Sequence, residues 1–292
     1  MTIYNLGSIN IDYFYKLPHL VKRGETLSSK LFYSTLGGKG ANQSIAISRA
    51  GGEVLHGGLI NEKDKEFLTI MEKSKVDTKH VLFSKEPTGH AIVAVDETNG
   101  DNQIILCPSC NNKITKTHVH TFLKNSKNGD WALSQNETNM TEYFFKKASE
   151  RGLFICYSAA PFIASQTTKL LTLVDLLILN EIEMQELIKE SKTDVKNLGV
   201  PHIIITMGKK GVKYFGKNEE FYVPGKKVDV FDTTGAGDTF LGYFLALFDK
   251  TKDIASSLDI ANIAASIQVT RNGASIAIPN LKEVLNWKKN TK

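Results

Sequence analysis

Val230-Phe231-Asp232-Thr233-Thr234-Gly235-Ala236-Gly237-Asp238-Thr239-Phe240 is the stretch on which the reading of this chain turns. Its small residues let the backbone turn tightly and approach a ligand. The apolar run Ala236–Phe248 that follows reads as a helix. The free N–H groups and positive dipole end at such a helix start favour an anion, for example a phosphate. Asp238 lies in the same turn. An anion site beside a carboxylate is what phosphoryl transfer to a hydroxyl needs: the carboxylate accepts the proton while the N–H groups steady the moving phosphoryl. A tight turn with Asp238 capping a helix is the plainer alternative, and this stretch alone does not separate the two. A dinucleotide fingerprint is excluded, because Phe240 stands where the third glycine belongs.

Upstream, short apolar runs alternate with helical stretches. Ile3–Leu6, Val54–Leu59, Trp131–Leu133, Leu153–Cys156, Leu176–Leu179 and Ile203–Thr206 read as buried strands. Ala41–Arg49, Lys65–Lys73, Glu142–Glu150 and Glu181–Glu190 read as helices between them, and Ile254–Val269 as a second apolar helix after Ala236–Phe248. This rhythm predicts one α/β unit over residues 1–292, with a mostly parallel sheet covered by helices on both faces. Two regions break it. Ile9 to Ser34 has no helical pattern, and Ala91–Val95 and Ile104–Leu106 flank the hairpin signal Asn99-Gly100. About 10–35 and 88–110 are therefore expected to pair as a small antiparallel lid.

Three further segments sit where ligands bind in open α/β sheets, beyond the carboxyl ends of strands. In Gly7-Ser8-Ile9-Asn10-Ile11-Asp12, Asn10 and Asp12 are two apart and point the same way on an extended chain. Leu36-Gly37-Gly38-Lys39-Gly40-Ala41-Asn42-Gln43 leads into a helix and is no Walker loop, since Tyr33 and Gly40 break that pattern. Protein-kinase signatures are absent too. In Leu179-Asn180-Glu181-Ile182-Glu183, Asn180 and Glu183 share a helical face and could order water around Mg²⁺. Each also has an ordinary reading, as a turn, a glycine-rich helix start or an Asn cap.

Bulk properties narrow the class. The formal net charge is +5 and the only arginines are Arg23, Arg49, Arg151 and Arg271, with the lysines scattered among acids. This argues against sequence-specific nucleic-acid binding. No signal peptide or membrane span is read, and three cysteines suit a reducing, cytoplasmic setting. Cys107 and Cys110, followed by His118 and His120, leave a zinc or redox site open, although the spacing is shorter than in finger patterns and no second Cys pair exists.

Taken together, Gly-Ser-Ile-Asn-Ile-Asp at 7–12, Gly-Gly-Lys-Gly-Ala-Asn-Gln at 37–43, Asn-Glu-Ile-Glu at 180–183 and Asp-Thr-Thr-Gly-Ala-Gly-Asp at 232–238 resemble the ribokinase family of sugar kinases over nearly the whole chain. The resemblance implies a three-layer α/β fold with a β lid and ATP-dependent phosphorylation of a sugar, D-ribose at its 5-hydroxyl in first place. It implies Asp238 as base, with N–H groups of Gly235, Ala236 and Gly237 as the anion hole. Asn10, Asp12, Gly38, Lys39, Asn42 and Glu137 would hold the sugar. Asn180, Thr206, Gly208, Lys209, Gly211, Gly237 and Asn262 would hold ATP, and Glu183 would support the Mg²⁺ shell. A potassium ion is implied at Asp232, Thr234, Gln268, Arg271 and Gly273, where Ala277 replaces a frequent serine. A homodimer through the lid is implied as well. The lid run Leu106-Cys107-Pro108-Ser109-Cys110-Asn111 departs from the family's small residues, so a kinase for another sugar, sugar acid or nucleoside stays open. So does a silent sugar-binding protein on the same fold.

Overall fold

The computed structural model describes residues 1–290. Its strands, in chain order, are β1 (Thr2–Leu6), β2 (Asn10–Leu17), β3 (Leu31–Gly37), β4 (Glu53–Asn61), β5 (Asp77–Ser84), β6 (Gly89–Asp96), β7 (Asn102–Cys107), β8 (Trp131–Gln135), β9 (Phe154–Ser158), β10 (Leu176–Asn180), β11 (His202–Thr206), β12 (Gly211–Phe215) and β13 (Glu220–Pro224). The helices are α1 (Lys39–Arg49), α2 (Leu68–Lys73), α3 (Lys116–Phe122), α4 (Thr141–Ser149), α5 (Ala164–Leu170), α6 (Glu181–Ser191), α7 (Ala236–Thr251), α8 (Ile254–Gln268) and α9 (Leu281–Asn290).

The main sheet runs β13-β12-β11-β10-β9-β8-β1-β4-β5. From β11 to β5 every pairing is parallel; β12 and β13 add an antiparallel edge. The central strands β1, β8, β9, β10 and β11 are buried on both faces, as a doubly covered sheet requires. Alternate residues enter different cores. Leu176, Ile178 and Ile204 pack with α1, α7 and α8, whereas Leu177, Leu179, Ile203 and Ile205 pack with α3, α4 and α6. All six expected strands form, with ends moved by one or two residues. The stretch Lys65–Lys73 is not one helix: a 3₁₀ segment, Glu62–Phe67, precedes α2.

The second sheet runs β3-β2-β6-β7. Its two outer pairings are antiparallel and its central pairing, β2 with β6, is parallel. One side buries a small cluster of Phe14, Ala91 and Val93, with Tyr33 and Val95 against it.

Because β1, β8, β10 and β11 are parallel, their carboxyl ends share one edge of the sheet. β1 leads there into β2, β8 leads to Glu137, and β10 runs straight into α6.

Candidate active site

Asp238 is the third residue of α7 and is buried. The Gln43 side-chain amide donates to its Oδ1 at 2.9 Å, and that of Asn42 to its Oδ2 at 3.1 Å. Both donors lie in the first turns of α1, so the carboxylate bridges the starts of two helices. Those helices approach closely: a Cβ at Gly242 would stand 2.4 Å from the Ala46 Cβ and 2.8 Å from the Ile47 nitrogen.

Gly235 caps α7 in the left-handed region, φ 74°, with no side chain closing the helix start. Its N–H groups are therefore available to an anion. No heavy atom lies within 4 Å of where a Gly237 Cβ would be. Of the three N–H groups expected to face an anion, that of Ala236 donates to the Thr233 carbonyl at 3.2 Å, a turn bond that a ligand would have to replace.

The α1 start is fixed by a carboxylate from across the sheet. Glu137 accepts from the Lys39 N–H at 3.0 Å and from the Ser8 hydroxyl, which itself accepts from the Gly40 N–H at 3.2 Å. A negative group there suits the helix dipole. Gly38 holds φ 90°, and a Cβ on it would stand 2.8 Å from the Asn10 nitrogen. Gly37 makes room for Asp12, whose Oδ2 lies 2.0 Å from where a Gly37 Cβ would be. Asn10 is buried, its Oδ1 accepting from Asn111 at 2.8 Å. Asn111 also bonds both backbone groups of Ile9.

Four carboxylates, Asp12, Glu137, Glu183 and Asp238, and the Lys39 ammonium thus interact at this edge. Burial, with Glu137 and Asp238 adding to it and Lys39 opposing, pushes Asp12 up to about 7. Burial also raises Glu137. Lys39 is raised chiefly by Asp238, with smaller contributions from Glu137, Glu183 and Asp12. The buried Asn42 Oδ1 accepts no hydrogen bond from the described residues. An unpaired acceptor beside a carboxylate suits a hydroxyl-bearing ligand.

A model of the pfkB family carbohydrate kinases matches residues 2–281. The chain belongs to this family. It is 31% identical to a ribokinase of Haemophilus influenzae, over 98% of each chain, and 31% identical to one of Staphylococcus aureus, over 96% and 97%. Among solved structures it resembles ribokinase from Thermotoga maritima (TM-score 0.87, 31% identity, 99% and 100% covered). Arabidopsis thaliana ribokinase complexed with ribose and ATP is similar too (TM-score 0.85, 27% identity, 98% and 97% covered). As a pfkB kinase it is a phosphotransferase.

The other expected residues fall into three groups. Asn180 and Thr206 are register partners at the ends of β10 and β11; Gly208 and Lys209 form an exposed 3₁₀ turn after β11. Gly211 is required by the fold itself, because a Cβ there would stand 2.1 Å from the Val223 carbonyl oxygen. Asn262 donates to the Pro224 carbonyl at 2.8 Å. Asn180 and Glu183 form a reciprocal capping box: Asn180 Oδ1 accepts from the Glu183 N–H at 2.9 Å, and Glu183 accepts from the Asn180 N–H at 2.7 Å. Glu183 keeps a second carboxylate oxygen, which fits support of hydrated Mg²⁺ through water. Among the described residues no three His, Cys, Asp or Glu side chains form a metal cage.

Asp232, Thr234, Gln268, Arg271 and Gly273 do come together, but not as an open cation site. The two N–H groups of the Gln268 side-chain amide are shared among the carbonyls of Thr234, Gly273 and Ala274. The Arg271 guanidinium turns away to Glu283 and the Ala277 carbonyl. A potassium ion at this set would have to share or displace the Gln268 amide at the Thr234 and Gly273 carbonyls.

Cys107 is exposed, whereas Cys110 is buried and donates to the Leu59 carbonyl at 3.3 Å. His118 caps α3 and His120 bonds Tyr143. No zinc or redox site is assembled from them.

The sequence reading passed over the group that steadies Asp238. Gln43 Oε1 accepts from Gln135 at 2.7 Å, and Gln135 donates to Asn5 Oδ1 at 2.9 Å. Asn5 donates to Ser44 Oγ at 2.8 Å, and Ser44 bonds His56 Nδ1 at 2.8 Å. All five residues are fully buried, and burial pushes His56 down to about 4, so it is neutral. Gln43 lay inside a quoted motif. Asn5, Gln135 and His56 stand within apolar strands and gave no local signal.

Proposed function

We propose that the chain transfers the γ-phosphoryl group of ATP to the 5-hydroxyl of D-ribose, with Asp238 taking the hydroxyl proton. The observation that carries this reading is the Asp238 carboxylate, pinned by Asn42 and Gln43 in the first turn of a helix whose start no side chain caps. N–H groups of the Gly235-Ala236-Gly237 turn would steady the charge on the moving phosphoryl. Asn10, Asp12, Gly38, Lys39, Asn42 and Glu137 would hold the sugar by its hydroxyls, Asn42 through its unpaired Oδ1. Asn180, Thr206, Gly208, Lys209, Gly211 and Asn262 would border the nucleotide. Mg²⁺ would neutralise phosphate charge when bound, with Glu183 and Asn180 ordering its water. The ribokinase names of the relatives support the choice of sugar.

The lid carries an exposed apolar surface: Ile104 is 59% and Ile105 65% exposed on the edge strand β7, with Leu31 and Phe32 at the opposite edge. Such an edge is a pairing hazard unless covered. A homodimer through the lid would cover it, and light scattering showing a monomer at micromolar concentration would exclude that. Three unpaired cysteines suit work in the reducing cytoplasm.

The test is ADP release with Mg²⁺ over a panel of D-ribose, 2-deoxy-D-ribose, D-fructose and adenosine, with ³¹P NMR locating the new phosphate. D-Ribose is expected to give the highest kcat/KM and a phosphate on C5. A higher kcat/KM for fructose or adenosine would reassign the substrate. Tight ribose binding in calorimetry without turnover would make the chain a sugar sensor.

A further inference from the structure

Beside the anion turn, two of the carbonyls that would face a monovalent cation, those of Thr234 and Gly273, already accept from a side chain of this protein. Gln268 ends α8 and is fully buried. Its Nε2 lies 3.1 Å from the Thr234 carbonyl oxygen, 3.1 Å from that of Gly273 and 3.0 Å from that of Ala274. The other end fixes the orientation, because Oε1 accepts from the Thr239 hydroxyl at 3.3 Å. Turned over, the amide would set an oxygen against three carbonyl oxygens. Gln268 therefore turns the partial positive charge of its two N–H hydrogens toward carbonyls that a cation would otherwise face.

The surroundings agree. Thr234 belongs to the turn before α7, and Gly273 and Ala274 to the loop after α8, so one amide ties both segments. Asp232 ties them again, its Oδ1 accepting from the Thr234 N–H and its Oδ2 from the Gly273 N–H, both at 2.9 Å. The Gln268 carbonyl accepts from the Arg271 N–H at 3.1 Å, and that of Ala274 also accepts from the Ala277 N–H at 3.2 Å. At 277 a buried methyl group stands where a hydroxyl would be another ligand. A Cβ on Gly235 would lie 3.5 Å from Gln268 Nε2, so the amide sits directly against the cap of α7.

We propose that the Gln268 amide takes the place of a monovalent cation, so that phosphoryl transfer by this chain, on the kinase reading above, needs none. An ion entering would compete for the same carbonyl lone pairs and would strand the displaced amide in a buried site, which is unfavourable. The anion turn is ordered instead by a group built into the chain.

The test pairs a structural readout with turnover. Crystals grown in rubidium chloride are examined for anomalous scattering at this loop, for the unaltered chain and for the double variant Gln268→Ala/Ala277→Ser. Ribose-dependent ADP release is measured in potassium chloride and in tetramethylammonium chloride at equal ionic strength. The unaltered chain is expected to show no rubidium at the loop and the same rate in both salts within about twofold, whereas a coupled activator changes affinity by about 5- to 150-fold. The double variant is expected to gain both the rubidium peak and potassium dependence. Rubidium at the loop of the unaltered chain, potassium activation of it, or a folded variant that gains neither property overturns the proposal. Should the double variant not fold, Gln268→Glu keeps the shape and removes the donor; its melting temperature should then rise in potassium, and an unchanged value counts against the idea. The rubidium readout needs no turnover. A chain without activity would sink the kinase reading while the rubidium result still decides this one.

Discussion

Asp12→Asn should stabilise the ligand-free protein, and by more as the pH rises. Burial and the neighbouring Glu137 and Asp238 lift the Asp12 carboxyl from the usual 3.8 to about 7 in the folded chain. A raised folded value means that the folded state holds this proton more tightly than the unfolded one. Between about pH 4 and pH 7 the unfolded chain has released the proton and the folded chain still carries it, so this group's contribution to stability falls as pH rises through that window. The span is about 3 units, and at 1.36 kcal/mol per unit that is about 4 kcal/mol. Asparagine does not titrate. The stability gap between variant and parent should be flat below about pH 4, widen through the window and level off near 4 kcal/mol above pH 7, roughly 10 °C in Tm. Urea or thermal unfolding of both proteins at pH 4, 5.5, 7 and 8 measures it. The double difference removes every other titrating group that the substitution leaves unchanged. A gap that does not vary with pH would refute the reasoning. The gain should be matched by a loss of function: without a charged acceptor at 12, the KM for ribose should rise by about 10- to 100-fold, the worth of a hydrogen bond to an ionised group.

Two further substitutions probe the base and its support. Asp238→Asn should lower kcat by about 10²–10⁴ with little change in ribose KM, since it removes proton acceptance and keeps the shape; steady-state kinetics showing near-full activity would remove Asp238 from that role. Gln43→Leu takes one donor from Asp238, removes the donor to Ser158 and leaves Gln135 bonded to Asn5 alone. It should cost about 1–3 kcal/mol of stability and reduce kcat more than it raises KM, and an unchanged kcat would show that Asn42 alone positions the carboxylate.

The parallel core was legible because Leu176–Leu179 and Ile203–Thr206 are short apolar runs, and apolar runs between helices have few other ways to be buried. The edges were harder. β5, Asp77–Ser84, exposes alternate and adjacent residues without a clean period, and β12 and β13 form an edge hairpin with one face partly in solvent. The lid strands were placed, yet the parallel pairing of β2 with β6 depends on how residues 18–88 are folded between them, which no local pattern records. At the site, Asp238, Lys39 and Asn42 were legible because glycines and a helix start surround them. Asn111 was not: it reaches Ile9 and Asn10 across about a hundred residues. Gln268 was named for its place in a loop, but which way its side chain turns is decided by packing against Thr239 and Gly235, and that reverses its meaning.

Uncharged amides are the common material of this site. An ionised carboxylate has about four lone-pair positions; Asn42 and Gln43 fill two on Asp238 and leave others for a hydroxyl. An arginine fork in their place would hold the group as firmly but would cover both oxygens and bring a full opposite charge into contact. Charge is supplied at one remove by Lys39, whose ammonium responds to Asp238 first and to Glu137, Glu183 and Asp12 after it. The same substitution of a neutral donor for a charge recurs at Gln268. Fixing amides in a buried place is unfavourable unless each finds its partner; Asn5, Gln43 and Gln135 find theirs in one another, in Ser44 with His56 behind it, and in Asp238, Ser158 and the Gly40 carbonyl. The residues behind Asp238 are therefore as constrained as those that would touch the substrate, and altering any one of them should be felt at its carboxylate.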